Sequence, residues 1–246
     1  MKFYSKTDIG KKRETNQDYV GGEVVSEDLA WTVVCDGMGG INGGDVASKM
    51  AVEKITEIVM QKVNPELSED ETMELMKESI DEANKDIFEK SNSNQELQGM
   101  GTTVVLGMIV KNNLYVMHAG DSRAYLISGP GIKQIGVDHS IVQEMVSSGQ
   151  LTPEEAKNHL QKNIITRALG IGDEVEVDCN KEKLKDQDVL LVCTDGLSNH
   201  LEDGEIYKIF CRERLSDVPE VLVNECNSRG GKDNITVSLI KYEEND

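Results

Sequence analysis

The sequence predicts an α+β fold in which pairs of helices cover an antiparallel sheet or sandwich. Three observations carry this. Short β-branched or apolar runs bounded by Gly, Asn or Asp recur along the chain. Helical periodicity comes in two pairs of segments rather than singly between strands. No long Pro-, Ser- or Gly-rich linker and no internal repeat divides the 246 residues, so residues 1–246 are expected to form a single domain.

In chain order, the run YVGGEVV follows Asp18, and residues 31–35 (WTVVC) read as a strand. Residues 45–61 place Val46, Met50, Ile55, Ile58 and Val59 on roughly one helical face. Ser68 with Glu71 forms a capping box, after which Met73, Met76, Ile80, Ala83 and Ile87 repeat at spacings of three and four. Residues 73–87 are thus a helix core face, with the acids of 69–78 turned to solvent. Strand runs follow at 102–110, 114–118 and 124–127, with Lys111-Asn112-Asn113 as a hairpin turn, which predicts an antiparallel meander. Residues 129–187 are mixed: a short helix over 140–149, then Thr152-Pro153-Glu154-Glu155, a capping box with Pro at the first helical position. A strand at 189–193, helices at about 203–214 and 217–229 closed by Gly230-Gly231, and a strand at 235–240 complete the chain.

Composition narrows the function. Lys+Arg number 26 against 45 Asp+Glu, a net charge of −19, which argues against nucleic acid or an anionic membrane as partner. No apolar stretch reaches the length of a membrane span, and the first residues, MKFYSKTDIGKKRE, lack the apolar region of an export signal. Five cysteines without CxxC spacing predict neither a disulfide framework nor structural zinc. The expectation is a cytoplasmic, globular monomer.

The most informative feature is repetition of a strand that runs into an Asp. WTVVC leads to Asp36-Gly37, LYVMHAG to Asp121, and VLLVC-Thr194 to Asp195-Gly196, while Asp233 precedes NITVSL and Asp18 precedes YVGGEVV. A single Asp-Gly after a strand is an ordinary turn. If those strands share one sheet system, several of these carboxylates meet at one edge, and clustered carboxylates require partners or metals. With no His/Cys ligand set, the chemistry points to Mg²⁺ or Mn²⁺ rather than Zn²⁺. The Gly-rich DGMGGINGGD of 36–45 loosely fits a dinucleotide fingerprint through Gly37, Gly39 and Gly43. It is set aside because a second helix follows instead of a strand, and because Asp36 would face a pyrophosphate. Arg13, in GKKRETNQD, could grip a phosphate bidentately.

Together these residues resemble the metal-dependent Ser/Thr protein phosphatases, the protein phosphatase 2C family, in its compact bacterial form. The matching stretches are TDIGKKRETNQDY, VVCDGMGG, GDVASKMAV, GTTVVLG, HAGDSRAYLI, DHS, ITRALG, LLVCTDGLSNHL and GGKDNITVSLI, in the family's order over residues 7–240. The resemblance implies a central β-sandwich of two antiparallel sheets flanked by helix pairs in α-β-β-α layers. It implies a binuclear Mn²⁺ or Mg²⁺ centre at one end of the sandwich, and a flap over about 137–170.

Carried over by motif, Asp36 would bridge two metals and Gly37 would offer its carbonyl. Asp195 and Asp233 would ligate, Asp18 would act through metal-bound water, and Asp121 with Asp195 would match a third site. Arg13 matches the phosphate-binding arginine, and Asn234 completes the family's Asp-Asn pair. Arg13, Asp36, Asp195 and Asp233 are the expected catalytic group. The implied reaction is hydrolysis of phosphoserine or phosphothreonine by a metal-bridging water, with phosphorylated proteins as substrates and a eukaryotic-type Ser/Thr kinase as counterpart. Cys35 and Cys193 are packing residues, and no cysteine has the CxxxxxR surroundings of a phosphocysteine loop.

The chain departs from the family pattern at Met38 and Ile41, where relatives carry histidine, and at Gln17, where eukaryotic members carry Glu. His139 and His118 become the nearest candidates for a general acid. The alternative is a catalytically weak or inactive relative that binds phosphoproteins, although such relatives commonly lose site acids and all five are present here. A regulatory phosphatase of a sigma-factor pathway is a third reading, but such proteins usually bring sensor domains.

Overall fold

A computed structural model describes residues 1–39, 43–129 and 131–244. Two antiparallel sheets lie face to face. One has the order β1(Lys2–Asp8), β11(Ile235–Lys241), β10(Val189–Cys193), β7(Arg123–Ser128), β8(Gly131–Ile135). The other has the order β2(Asp18–Ser26), β3(Leu29–Met38), β5(Val104–Val110), β6(Asn113–Ala119), β9(Asp178–Lys183), with the short β4(Gly101–Thr102) paired to the end of β3. Helices α1(Gly44–Lys62) and α2(Glu69–Ser93) cover the β3 sheet, and α6(Asp203–Arg212) and α7(Val218–Ser228) cover the β10 sheet. The short α3(Ile141–Ser147), α4(Pro153–Lys157) and α5(Asp195–Ser198) lie near the site.

The layers follow from side-chain patterning. Val34, Val105, Ile109, Val116, Leu190 and Val192 fill the space between the sheets. Trp31, Leu106 and Met108 point the other way, to Ile55 of α1 and Ile80 of α2. Tyr125, Leu191 and Leu239 meet Ile206 and Leu222 of the second helix pair. Strands buried on both faces, such as β5 (VVLGMIV), read as continuous apolar runs, whereas the edge strand β9 (DCNKEK) alternates and is charged. Cys35 and Cys193 are fully buried, as packing residues.

The capping boxes at Ser68–Glu71 and Thr152–Glu155 both form. The turn between β5 and β6 is the two-residue loop Lys111-Asn112, with Lys111 at φ 55°. Two expectations are corrected. The buried stripe of α1 is Ala47, Ala51, Ile55 and Val59, with Val46, Met50 and Ile58 on its flanks. Small alanines let the helix approach the sheet, so the larger residues mark the edge of the contact.

The middle strands do not form one meander, because β7 belongs to the opposite sheet from β6. Three residues, Gly120-Asp121-Ser122, separate β6 from β7. Four extended residue steps reach about 13 Å, enough to cross the roughly 10 Å between packed sheets. That crossover carries Asp121 to the end of the sandwich. Among the described residues no helix is long and apolar enough to cross a membrane.

Candidate metal centre and phosphate cleft

The candidate site grows from chain ends and crossovers at one end of the sandwich. Asp18 opens β2 and sits opposite Asp36 of β3 in the strand register. Asp36 lies inside β3, which continues to Met38 by pairing Gly37 with Thr102 and Met38 with Gly101, so this Asp-Gly is no turn. The Asp36 N–H donates to Thr103 Oγ1 at 2.9 Å, and the Asp36 carbonyl accepts from the Thr103 N–H at 2.9 Å and from Thr102 Oγ1 at 2.9 Å. Thr103 Oγ1 also bonds Ser122 Oγ at 2.7 Å, which ties Asp36 to the crossover that carries Asp121. Asp195 opens α5 directly after β10, and its Oδ2 accepts from Asn199 Nδ2 at 2.8 Å.

Asn234 joins the N-terminal loop to this end. Its Oδ1 accepts from the Gln17 N–H at 2.8 Å, while its Nδ2 donates to the carbonyls of Ile9 at 2.9 Å and Thr15 at 3.0 Å. The loop so held brings Arg13 Nη2 to Asp233 Oδ2 at 2.8 Å. Backbones approach closely here, which accounts for the glycines after Asp36 and Asp195. A Cβ on Gly37 would lie 1.9 Å from the Gly44 carbonyl oxygen, and one on Gly196 would lie 1.8 Å from that of Asn234. Gly196→Ala is therefore expected to destabilise the fold by about 3 kcal/mol or more in urea denaturation, since backbone must move to admit the methyl. Unchanged stability would show that the 195–196 and 233–234 segments are not packed together as described.

A cleft of about 500 Å³ opens here, with Arg13, Asp36, Gly37, Asp121, Asp195 and Asp233 among its lining residues. Asp18 lies beneath it, 3% exposed, and its Oδ2 accepts from Thr194 Oγ1 at 2.8 Å. Asp18 Oδ1 and Asp195 Oδ1 are buried without any hydrogen-bond partner. Burial, and then the neighbouring acids, push all four interior carboxyls upward: Asp195 to about 6, Asp18 to about 7, Asp121 to about 8, and Asp36 well above the ordinary range. The charges of Arg13 and Lys162 pull in the opposite direction on Asp195.

Carboxylates that repel one another, with two orphaned buried oxygens and no histidine or cysteine among the described lining residues, suit hard divalent cations. The residues therefore fit the metals that the sequence implied.

All the acids singled out from sequence meet here, with Gly37 and Arg13. Met38 and Gln17 also line the cleft, whereas Ile41 lies outside the described residues. His118 and His139 do not line it; both are buried, 4% and 8% exposed, with their rings stacked on each other at 4.7 Å. Sequence reasoning missed Thr103, Asn163 and Ile165 in the lining. Thr103 sits in the quoted GTT motif and Ile165 opens the quoted ITRALG stretch, whereas no motif marks Asn163. A second cavity of about 510 Å³ shares Asp121 and Asp195 with the first and runs under α3 and α4 past Arg123, Asp138 and Lys162.

The build is shared with known proteins. A family model described as Protein phosphatase 2C matches residues 10–225. The Serine/threonine phosphatase stp of Listeria monocytogenes serotype 4b is 38% identical over 239 residues, which cover 97% of this chain and 94% of that protein. The solved structure of the S. agalactiae serine/threonine phosphatase superposes with a TM-score of 0.91 at 36% identity, covering 99% of both chains. The catalytic domain of the serine threonine protein phosphatase PstP, in complex with two manganese ions, superposes with a TM-score of 0.85 at 29% identity, covering 97% of this chain and 96% of that one. A four-layer sandwich with an acid-lined cleft at one end defines the class. The chain belongs to the protein phosphatase 2C family.

Proposed function

We propose that this chain is a Mn²⁺- or Mg²⁺-dependent protein-serine/threonine phosphatase that dephosphorylates phosphoproteins, opposing a eukaryotic-type Ser/Thr kinase. The observation that carries the reading is the convergence of Asp36, Asp121, Asp195 and Asp233 on one open cleft beside Arg13, with Asp18 beneath. Bound divalent cations supply a nucleophile near neutral pH by lowering the pKa of a shared water.

The chain's own residues do the rest. Asp36 would hold the ions at the centre of the group, because the other acids crowd it and its backbone is held by Thr102 and Thr103. Asp195, Asp233 and the Gly37 carbonyl would complete the hold on the ions, and the unpaired Asp18 oxygen would orient solvent from below. Asp121 and Asp195, which border both cavities, would hold a third ion. Arg13, half exposed at the rim, holds the equatorial phosphate oxygens, which a planar guanidinium matches better than an ammonium. Residues 1–246 act as one catalytic unit, with residues 137–170 as a flap whose base is closed by the Ser140–Ile165 bridge.

The test is turnover of a phosphothreonine peptide with Mn²⁺, with EDTA, and by Arg13→Ala in Mn²⁺. Hydrolysis in Mn²⁺ that EDTA abolishes is expected, with kcat/KM lowered about 10–100-fold in the variant, mainly through KM. Because the Arg13–Asp233 pair is exposed, the variant's melting temperature should barely change. Tight phosphopeptide binding without turnover would overturn the enzymatic reading and favour a binding module.

A further inference from the structure

Beside the cleft, His118, His139 and Asp178 bring potential ligand atoms within 4.8 Å of one another. Their geometry speaks against a cation there. The two rings are parallel to within 10°, so their in-plane lone pairs cannot converge on one ion, and Arg167 Nη1 already donates to Asp178 Oδ1 at 2.7 Å. The arrangement is a relay that runs from the Asp178 carboxylate through the His139 ring and ends in hydrogen bonds on the residue before Asp121. His139 Nδ1 accepts from the Gly120 N–H at 3.2 Å, and the His139 N–H donates to the Gly120 carbonyl at 2.9 Å. Both backbone polar groups of Gly120 are therefore held by one residue.

With Nδ1 accepting, the ring proton sits on Nε2, which lies 3.2 Å from Arg167 Nη1 and 3.4 Å from Asp178 Oδ2; a guanidinium cannot accept, so Asp178 is the group this N–H faces. His118 stacks on the ring, anchored by its own Nε2 contact to the Val137 carbonyl at 3.1 Å. On the other side, the His139 carbonyl accepts from the Thr166 N–H at 2.8 Å, and the neighbouring Ser140 bridges Ile165, a cleft residue. His139 thus stands where the Asp121 crossover meets the base of the flap segment.

We propose that His139 is a positioning residue: through the Asp178–His139–Gly120 relay it sets the place of Asp121 and locks that acid to the flap base. The inference rests on the reading of Asp121 as a metal ligand. Positioning groups of this kind change metal affinity about 10–100-fold without touching the ion.

Three variants separate the relay from simple packing. In His139→Asn the amide oxygen can replace Nδ1 as acceptor for Gly120. In His139→Gln the amide reaches toward Asp178 and leaves Gly120 without an acceptor. Asp178→Asn changes a half-exposed side chain outside the buried apolar clusters. Arg167 would keep its bond to the new amide oxygen, and the amide N–H would then face Nε2. That drives the ring proton to Nδ1, against the Gly120 N–H, by the same logic as the aspartate that orients a catalytic imidazole.

The readouts are Mn²⁺ stoichiometry and affinity by equilibrium dialysis, and hydrogen exchange of the Gly120 amide in the metal-free proteins. His139→Gln and Asp178→Asn are expected to weaken the weakest Mn²⁺ step by about 10-fold or more and to speed Gly120 exchange, while His139→Asn stays near wild type. If all three bind Mn²⁺ like wild type with unchanged Gly120 protection, or if His139→Asn and His139→Gln are equally impaired, the relay is wrong while the metal reading stands. A wild-type protein that binds no Mn²⁺ would overturn both.

Discussion

Asp36→Asn is expected to lower kcat/KM on a phosphothreonine peptide by at least about 10³-fold at saturating Mn²⁺, roughly 4 kcal/mol of transition-state stabilisation. The same substitution should make the metal-free protein more stable. Asp36 faces Asp18 across the strand pair and is crowded by Asp195 and Asp121, and burial together with those charges holds its carboxyl well above the ordinary range. Folding without metal must therefore bind a proton there. Above the unfolded pKa this costs about 1.4 kcal/mol for each pH unit, until the folded pKa is reached. Asn carries no such cost. In EDTA the gain should be near zero at pH 4 and grow steadily as the pH is raised to 8, read by urea denaturation. An active variant, or one destabilised in EDTA at pH 8, would contradict the central placing of Asp36.

The second large effect is the pH dependence of stability and its removal by metal. The folded-state values of Asp195, Asp18 and Asp121, about 6, 7 and 8, all lie above their unfolded ones. A raised carboxyl contributes stability that is fully present below its unfolded pKa and is lost as pH rises through the folded one. The metal-free protein should accordingly lose stability between about pH 4 and pH 8, the acids titrating as a coupled group. Mn²⁺ at a hundred times its dissociation constant adds about 2.7 kcal/mol per site, or about 5–10 °C in melting temperature for a chain of this size. It should also flatten the pH profile, because cations take over the work of protons. Stability measured from pH 4 to 8.5 in EDTA and in Mn²⁺ checks this; a metal-free protein that becomes steadily more stable over that range would count against a repelling acid cluster.

Most of the elements were legible because each announces itself locally. The capping boxes at Ser68 and Thr152, the periodicity of Met76, Ile80, Ala83 and Ile87, and the apolar run of β5 are short-range signals. The edge strand β9 was harder to see, since DCNKEK is polar and alternating and reads as loop until it pairs with β6. The acids were legible as a group because five of them recur beside short apolar runs, although Asp36 proves to lie inside its strand. The histidines were not: the DHS motif marks His139, but its stacking on His118 and its hold on Gly120 depend on contacts between distant segments.

The amino-acid sequence by itself determined the element types, the two helix pairs, the family and the set of acids, since these reside in periodicity, capping and motif order. Tertiary structure alone decided that β7 crosses to the second sheet and that Asn234 ties the Arg13 loop to Asp233. It also decided that Asp18 lies beneath the other acids and that His139 serves a backbone rather than the cleft. The physical reason is alternation. A strand shows which of its residues share a face, but not which sheet will bury that face. Where two sheets close on each other, their packing chooses which carboxylates meet.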